Sequence, residues 1–217
     1  MIIKLRWSNK IGKKWSIRPF SPETTKQMEN ILKYIYSLTK FSDESWKLLQ
    51  PALSEIVFKK NEFLLKKGTD SDALFYIDKG YCRSFYEIDG VEKNIAFFFE
   101  NEIATNIDSF GSGKKSEYSI IACEQLRVIR FDKEKLFQVS KQASEIETLG
   151  RNCLRLFATK QEEFSNLFKL YSAKDRLLYI EKHHPEIVQR VPLSQLASFL
   201  GVARETLSRI RKRRFIL

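Results

Sequence analysis

The sequence has few of the side chains that hold metals, clusters or disulfides. Its 217 residues include three cysteines and two histidines. The cysteines are too scattered for a zinc site or a disulfide framework and too few for an iron–sulfur cluster; they are Cys82, Cys123 and Cys153. The histidines, His183 and His184, stand beside Pro185, where we expect them to end a surface helix rather than hold haem. We therefore expect no metal and no cofactor, and reduced thiols that pack as small hydrophobic groups in a cytoplasmic protein.

Long apolar runs are also missing. No stretch approaches the roughly 18 residues that cross a bilayer, and the first residues lack the apolar core of a signal peptide, so we expect no membrane association. Five prolines against seventeen phenylalanines, with 43% hydrophobic residues, favour a globular protein with a real core. The chain has no HExxH motif, no P-loop and no recognisable Ser/His/Asp set. We therefore predict that it is not an enzyme.

Positive charge is present and is concentrated at the two ends. Residues 1–27 carry six more basic than acidic side chains and residues 204–217 carry five more, which together account for the net charge of +11. The body between them is neutral. This distribution favours a polyanionic partner that is contacted by the ends of the chain.

The basic N-terminal extension, residues 1–27, lacks a clear hydrophobic period and precedes Met28, where a well-patterned amphipathic helix begins. Two hypotheses fit this extension. It is a flexible arm that adds electrostatic affinity, or it belongs to an over-extended reading frame whose natural translation starts at Met28. Two short helices, "MENILKYIYSLTKF" and "DESWKLLQPAL", are predicted after it.

Residues 58–131 show the pattern of short strands separated by turns. Asp89 and Gly90 join two of these strands and form a strong two-residue hairpin signal. Gly68 and Gly80 each end a strand, where we expect backbone with positive φ. The strand segments are "FKKNEFLLKKG", "ALFYIDKG", "YCRSFYEI", "VEKNIAFFF", "YSIIAC" and "LRVIRF". Strands this short and evenly spaced predict an antiparallel barrel, roll or sandwich.

Residues 133–170 contain no proline and one glycine, and their apolar side chains recur at spacings of three and four. This pattern predicts one long amphipathic helix of about nine turns. Its apolar positions are Ile146, Leu149, Cys153, Leu156 or Phe157, Phe164, and Leu167 or Phe168. A helix this long cannot bury a broad apolar face against one small barrel, so we predict that part of it meets a partner helix in a homodimer. The heptad is not clean, because Lys160 and Gln161 fall on its two candidate seams.

The last segment is predicted to consist of short helices. Ser172 with Asp175 indicates a capping-box start for a helix that Pro185 stops. A helix over "LSQLASFL" and a helix that begins near Arg204 then form a pair joined by a tight turn, which is the helix-turn-helix unit. The residues suited to the crossing, the turn and the apolar corner of this unit are Ala197, Gly201, Leu196, Leu200, Val202, Leu207 and Ile210.

The second helix of this pair has a polar face suited to the major groove of DNA. With the apolar seam facing inward, that face contains Arg204, Glu205, Ser208, Arg209 and Lys212. Arginine donates two hydrogen bonds to guanine and glutamate accepts one from cytosine, whereas a helix that only contacts phosphates gains nothing from Glu205. We therefore predict that this helix reads bases. The later arginines, which we expect to attract phosphates without reading bases, are Arg211, Arg213 and Arg214.

The stretch "VPLSQLASFLGVARETLSRIRKRR" resembles the helix-turn-helix of the Crp/Fnr family of bacterial transcription regulators, and the resemblance covers about Met28 to Arg214. It implies an α+β chain with a cyclic-nucleotide-binding-like antiparallel β-roll over 28–132, a dimerisation helix over 133–170 and a helix-turn-helix DNA-binding domain over 171–217. Because the chain stops soon after the recognition helix, we expect no C-terminal β wing. The family also implies a two-fold dimer on a palindrome with TGTGA-like half-sites about one DNA turn apart.

By this resemblance, Arg204, Glu205 and Arg209 read base edges, with Thr206 and Ser208 on phosphates. Lys212 and, from the preceding helix, Ser194 complete the predicted DNA-binding set. One departure from the family is Ala203, which stands where a capping serine is common and forgoes about 1 kcal/mol of helix capping.

The phosphate-binding segment departs from the family more strongly. The family pattern is a Gly-Glu pair followed by an arginine and a small hydroxyl residue. Here Glu102 matches the glutamate, Asn101 replaces the glycine, and Ser116-Glu117 fills the last two positions, so that Glu117 would repel a phosphate. Lysines nearby are point charges without the bidentate arginine fork. We predict no tight cAMP or cGMP binding, and the candidates for lining a pocket for another small ligand are Glu102, Lys114, Lys115 and Ser116.

We predict from these features a homodimeric, sequence-specific transcription regulator whose roll senses an unidentified signal and alters the pairing of the long helices. Its predicted partners are double-stranded DNA and a second copy, with RNA polymerase and an unidentified small-molecule effector as candidates. The alternative is a non-DNA signalling module with a degenerate nucleotide-binding roll and a basic docking end. The register of Ala197, Gly201 and the Arg-Glu-Thr run favours the first, because docking needs charge but no such spacing.

Overall fold

The chain forms two compact units. The computed structural model describes residues 6–8, 14–16, 18–19 and 25–213. Within them, the first unit extends to Arg83 and resumes at Phe98–Leu154, and the second contains Ser84–Phe97 and the residues from Arg155 onward.

A five-stranded antiparallel sheet forms the main sheet of the first unit. In spatial order its strands are β3 (Arg18–Pro19), β4 (Leu53–Phe58), β11 (Leu126–Asp132), β6 (Ala73–Lys79) and β9 (Ile103–Ala104). Two further antiparallel pairs are β1 (Arg6–Ser8) with β2 (Lys14–Ser16), and β5 (Phe63–Leu65) with β10 (Ser119–Ala122). The strand spacing predicts a barrel, roll or sandwich, and the antiparallel roll that the family resemblance implies is confirmed.

Part of the basic N-terminal extension is paired with the main sheet of the first unit and is not a free arm. Strand β3 pairs with β4, so that Arg18 lies opposite Glu55. Helix α1 (Thr25–Leu38) begins three residues before Met28. The remaining residues of 1–24, outside β1 to β3, lie outside the described residues.

Short helices complete the first unit. They are α1, α2 (Asp43–Leu49), a 3-10 turn (Gln50–Ala52), α3 (Ile107–Ser112) and α4 (Lys133–Ser140). Ile31 and Ile35, four residues apart on α1, are both fully buried against the sheet residues Tyr76 and Ile129. This spacing places both side chains on one helix face, and for this reason the sequence after Met28 predicts an amphipathic helix.

The predicted single helix over 133–170 is divided into two helices, α4 and α5 (Ser144–Leu170). The turn between them is closed by the Gln142 N–H, which donates to the Val139 carbonyl at 3.0 Å. Beyond this turn, the Glu145 carboxylate accepts from the N–H and the hydroxyl of Ser42 at 2.8 and 2.7 Å. Periodicity does not register a break that leaves the apolar spacing intact.

The second unit contains a hairpin and the C-terminal helices. The hairpin strands are β7 (Cys82–Ile88) and β8 (Val91–Phe98), whose outer ends at Cys82, Arg83 and Phe98 belong to the first unit. The helices are the second part of α5, α6 (Ala173–His183), α7 (Pro185–Arg190), α8 (Leu193–Leu200) and α9 (Arg204–Arg213). Helix α7 was not predicted, although Pro185 at its first position is a helix-start signal. No helix in the described part of the chain is long and apolar enough to cross a bilayer.

Candidate DNA-binding surface and sensor pocket

Helices α8 and α9 are joined by a tight turn at Gly201. This glycine has a φ of 71°, and the N–H of Val202 donates to the carbonyl of Ala197 at 3.0 Å. A glycine in the left-handed region at the end of a helix is the usual way to satisfy the last carbonyls, because it carries no Cβ. The Ala203 carbonyl accepts from Leu207, which starts α9.

Most of the predicted apolar corner between the two helices is buried, whereas Val202 and Ile210 are half-buried. Leu196, Leu200 and Leu207 are completely buried, and Ala197 is 2% exposed. Full burial of three leucines stabilises the pair by several kcal/mol at about 1.5–3 kcal/mol per side chain. The corner therefore holds α9 in one orientation relative to α8.

Most of the predicted DNA-binding side chains are exposed. Five of them lie in the exposed class, namely Ser194, Arg204, Glu205, Arg209 and Lys212, and two are half-buried, namely Thr206 and Ser208. The Arg209 Nε donates to the Glu205 carbonyl at 3.4 Å, one helical turn back. Arg204 and Glu205 occupy the first turn of α9. The arrangement is an exposed surface that offers both hydrogen-bond donors and one carboxylate acceptor.

Arg211 differs from the exposed residues of α9. It is half-buried, and its Nη2 is buried without a hydrogen-bond partner among the described residues. It is therefore less free than Lys212 to contact a phosphate. The side chain of Arg213 and the whole of Arg214 lie outside the described residues.

Arg176 on α6 ties together two helix ends and was not singled out from the sequence. Its guanidinium donates to the carbonyls of Phe168 at 2.8 Å, Tyr171 at 3.0 Å and Leu200 at 3.1 Å. Its charge also lies over the ring of Phe168, 5.1 Å from the centroid. The last carbonyls of α5 and α8 thus share one cation, which favours the negative ends of both helices.

A second polar cluster surrounds Ser116 in the first unit. Ser116 is 2% exposed; its hydroxyl donates to the Tyr118 carbonyl at 2.7 Å and accepts from Asn106 Nδ2 at 2.9 Å. The Asn106 Oδ1 accepts from the N–H of Ser109 at 3.1 Å and caps α3. The hydroxyl of Ser109 in turn accepts from the N–H of Ser71 at 2.9 Å. The cluster is neutral and its groups bond to one another.

Of the four predicted pocket residues, Ser116 is the one whose side chain takes part in this cluster. Lys114 and Lys115 are exposed in the loop before Ser116. The Glu102 carboxylate accepts from the Phe99 N–H at 3.0 Å within its own turn. Asn106 is the partner of Ser116 that sequence reasoning missed, and its signal was an asparagine directly before a short helix, a favoured capping position.

His184 lies at the joint between α6 and α7 and is partly buried rather than on the open surface, its side chain being 18% exposed. Its Nε2 lies 2.7 Å from Glu163 Oε1 of α5, and the hydroxyl of Tyr179 donates to the same oxygen at 2.9 Å. Burial of the Glu163 carboxyl disfavours its charge, but the hydrogen bonds from His184 and Tyr179 outweigh this and lower its pKa.

The three cysteines are free thiols. Cys82 is buried, and burial raises the pKa of Cys123 to about 11 and also raises the pKa of Cys153. A thiol with a raised pKa is a poor nucleophile at neutral pH, because the thiolate is the reactive form.

A family model described as the cyclic nucleotide-binding domain matches residues 55–143, from within β4 to the last residue before α5. Residues 55–143 are therefore similar to a cyclic nucleotide-binding domain. All four predicted pocket residues and the Ser116 cluster lie within this domain, whereas α8 and α9 lie outside the matched residues.

Solved structures with the same fold include proteins described as regulators or activators. A Eubacterium rectale protein assigned to the Crp/Fnr family of transcriptional regulators is 15% identical with a TM-score of 0.62, over 81% of this chain and 84% of that chain. The c-di-GMP-responsive global regulator CLP of Xanthomonas campestris is 19% identical with a TM-score of 0.60, over 81% and 92%. The catabolite activator protein of Thermus thermophilus is 16% identical with a TM-score of 0.52, over 83% and 85%.

These similarities confirm the Crp/Fnr-like fold that the sequence predicts, and at identities this low they concern the fold. No curated protein matches the sequence significantly. The cyclic nucleotide-binding domain, the long helix α5 and the C-terminal helices therefore follow the architecture of known regulators.

Proposed function

We propose that the protein is a sequence-specific DNA-binding transcription regulator that acts as a homodimer on a two-fold symmetric site, by binding and not by catalysis. The single observation that carries the proposal is the exposed set of Arg204, Glu205 and Arg209 on α9, a helix held by the buried corner and the Gly201 turn. Arginine and glutamate together match guanine and cytosine edges in the major groove, whereas phosphates would repel Glu205.

The homodimer is supported by an apolar stripe on α5 that nothing in its own unit covers fully. Leu154 is 51% exposed, and Gly150 and Ala158, one turn before and after it, are also exposed. Residues four apart share one helix face, so these three form a continuous stripe with a small residue on each side of a leucine. We propose that the same stripe of a second copy packs on it, since a two-fold dimer places identical surfaces against each other.

The signal sensed by the cyclic nucleotide-binding domain is proposed not to be cAMP. A cyclic phosphate is best held by a charge-assisted arginine contact, and residues 100–119 contain no arginine. In the Ser116 cluster, the groups that would meet a ligand are neutral and already bonded to one another. We therefore propose that the domain responds to another small molecule or to no ligand, and RNA polymerase remains a candidate partner.

The decisive test is base readout by Arg204. Genomic footprinting of the wild type, Arg204→Ala and Lys60→Ala in the native host is expected to show a palindromic motif for the wild type and for Lys60→Ala, and its loss for Arg204→Ala. Lys60 is exposed in the first unit, so its variant matches the loss of one charge without touching α9. With purified protein, Arg204→Ala is expected to lose about 1–3 kcal/mol of affinity for that palindrome and little for a scrambled duplex.

Two results contradict the proposal. One is a wild type with the same salt-titrated affinity for every duplex, which indicates phosphate binding alone. The other is equal occupancy of the palindrome by the wild type and Arg204→Ala.

A further inference from the structure

The β7–β8 hairpin is hydrogen-bonded to the first helix of the helix-turn-helix. The N–H of Asn94 donates to Ser198 Oγ at 3.1 Å, and that hydroxyl donates to the Glu92 carbonyl at 3.1 Å. The Asn94 Nδ2 donates to the Gln195 carbonyl at 3.2 Å. We call this set of residues, Glu92, Asn94, Gln195 and Ser198, the clasp.

An aromatic contact lies beside the clasp. The ring of Phe97 on β8 meets the ring of Phe199 on α8 edge-on, with centroids 5.3 Å apart. Phe199 also contacts Phe164 and Phe168 of α5, each at 5.5 Å. Phe97 and Phe199 are 2% and 4% exposed. Edge-to-face aromatic pairs add to the stabilisation from burial, so the hairpin, α8 and α5 are joined at one point.

The burial of Asn94 on an otherwise exposed part of the hairpin indicates a specific contact with α8. Its neighbours Lys93 and Ile95 are exposed, whereas Asn94 is 6% exposed. Burying an amide costs free energy unless its polar groups are hydrogen-bonded, and here both the side chain and the backbone of Asn94 bond to α8. A strand that needed only an apolar fit would place a hydrophobic residue at this position.

The clasp leaves the proposed DNA-reading residues open. Ser194, Arg204, Glu205 and Arg209 are exposed while the clasp is formed. The clasp therefore does not cover the proposed DNA-binding surface. By holding α8, it limits the motion of α9, which packs on α8. A restrained reading helix loses less conformational freedom on binding than a mobile one and so binds DNA more tightly.

We propose that the clasp couples the cyclic nucleotide-binding domain to DNA binding. The outer ends of the hairpin at Cys82 and Phe98 are part of the first unit, so a change in that unit that displaces the hairpin acts directly on α8. The closed clasp is the state with high DNA affinity, and its opening releases the helix-turn-helix and lowers that affinity. The proposal rests on the proposed DNA-binding function and names its regulation.

The test compares full-length wild type, Asn94→Ala, Ser198→Ala and the matched control Val91→Ala. Val91 is on the same hairpin, is 53% exposed and is not a member of the clasp. Two quantities are measured: amide hydrogen exchange over residues 84–97 and 193–200, and affinity for the selected palindrome at fixed salt. Asn94→Ala and Ser198→Ala are expected to speed exchange in both segments and to weaken binding about threefold to tenfold, while Val91→Ala changes neither.

The outcomes separate the clasp from the proposed function. A wild type without sequence-selective binding overturns the proposed function and the coupling together. Selective binding by the wild type with faster exchange but unchanged affinity in Asn94→Ala and Ser198→Ala overturns the coupling alone. Unchanged exchange in both variants overturns the clasp itself, and equal effects in Val91→Ala show a general loss of the hairpin and also overturn it.

Discussion

Gly80 lies between β6 and β7, and the space beside its Cα is filled by backbone. Its φ is 95°, and a Cβ on it would lie 2.7 Å from the Gln125 carbonyl oxygen and 3.2 Å from the Cα of Leu126. Backbone atoms of a neighbouring segment cannot move aside as the end of a flexible side chain can. Gly80 is therefore required both for its φ and for its lack of a side chain.

We predict that Gly80→Ala destabilises the protein by about 2–4 kcal/mol, the sum of the left-handed backbone cost and the overlap with Gln125. The free energy of unfolding is measured by urea denaturation of purified protein. Gly111→Ala is the control, because Gly111 has nothing within 4 Å of a built Cβ and no left-handed φ. Equal stability of Gly80→Ala and the wild type would contradict the close approach.

Glu163 gives a prediction on pH. Its pKa is lowered below the ordinary value of about 4.5, so the folded state favours the carboxylate more than the unfolded state does. The stabilisation is therefore present in full above pH 4.5 and is lost as the pH falls through the lowered folded pKa. The difference in unfolding free energy between the wild type and Glu163→Gln is expected to shrink as the pH falls below about 4.5.

The matched control for this pH series is Glu162→Gln, since Glu162 is the exposed neighbour of Glu163 on α5. Urea denaturation at each pH gives the free energies. A difference between wild type and Glu163→Gln that grows on acidification would show that the hydrogen bonds to His184 and Tyr179 do not favour the carboxylate.

The types of individual residues predict some of the turns, but they do not predict which side chains bond to each other across the chain. Asp89 and Gly90 have φ values of 51° and 74°, as the two-residue hairpin signal requires, and Gly68 has a φ of 82°. These conformations follow from the residue types themselves. Arg176 bonds to Leu200, 24 positions away, and Asn94 bonds to Gln195, 101 positions away, and no local pattern encodes such distances.

At the scale of elements, the apolar face of α5 is divided between two uses. Ile146 and Leu149, which the heptad pattern assigned to one long seam, are buried in the core of the first unit at 2% and 5% exposure. Phe164 and Phe168 contact Phe199 in the second unit. The exposed apolar stripe at Leu154 lies one position away from the predicted seam residue Cys153. Periodicity identified the amphipathic helix but not which of its faces remains free.

We predict that Leu154→Glu disrupts the homodimer, because a carboxylate in the proposed interface faces its own symmetry copy. Sedimentation analysis is expected to show about a tenfold or greater weakening of dimerisation. Leu178→Glu is the control, since Leu178 is also an exposed leucine, at 37%, but lies on α6 and not on α5. Equal dimerisation of Leu154→Glu and the wild type, or equal disruption by both variants, would contradict the stripe as the interface.

At the scale of the whole molecule, residues 55–143 match the cyclic nucleotide-binding fold, and residues 100–119 within them contain no arginine. The Ser116 cluster closes through neutral hydrogen bonds, Lys114 joins it only by its backbone carbonyl, which accepts from the Ser109 hydroxyl, and the side chains of Lys114 and Lys115 are exposed. A domain of this type can hold a different ligand without any change in its sheet, because function lies in the site and not in the fold.

We predict that cAMP does not bind tightly. Calorimetric titration of the full-length protein with cAMP at up to millimolar concentration is expected to give heats no larger than those of dilution, and thermal denaturation is expected to show no shift of the melting temperature with cAMP. Titration into buffer alone is the control. A micromolar or tighter affinity for cAMP would contradict the prediction.

The sequence by itself determined the strand–turn pattern, the start of α6 at the Ser172 cap, and the register of α8, Gly201 and α9, because periodicity, capping and left-handed glycine are local effects. Only the tertiary structure decided where α4 ends and α5 begins, that Asn106 and not Glu102 bonds to Ser116, and that Asn94 joins the hairpin to α8. The reason is that each of these depends on groups far apart in the chain, whose meeting is set by the packing of whole elements and leaves no trace in local spacing.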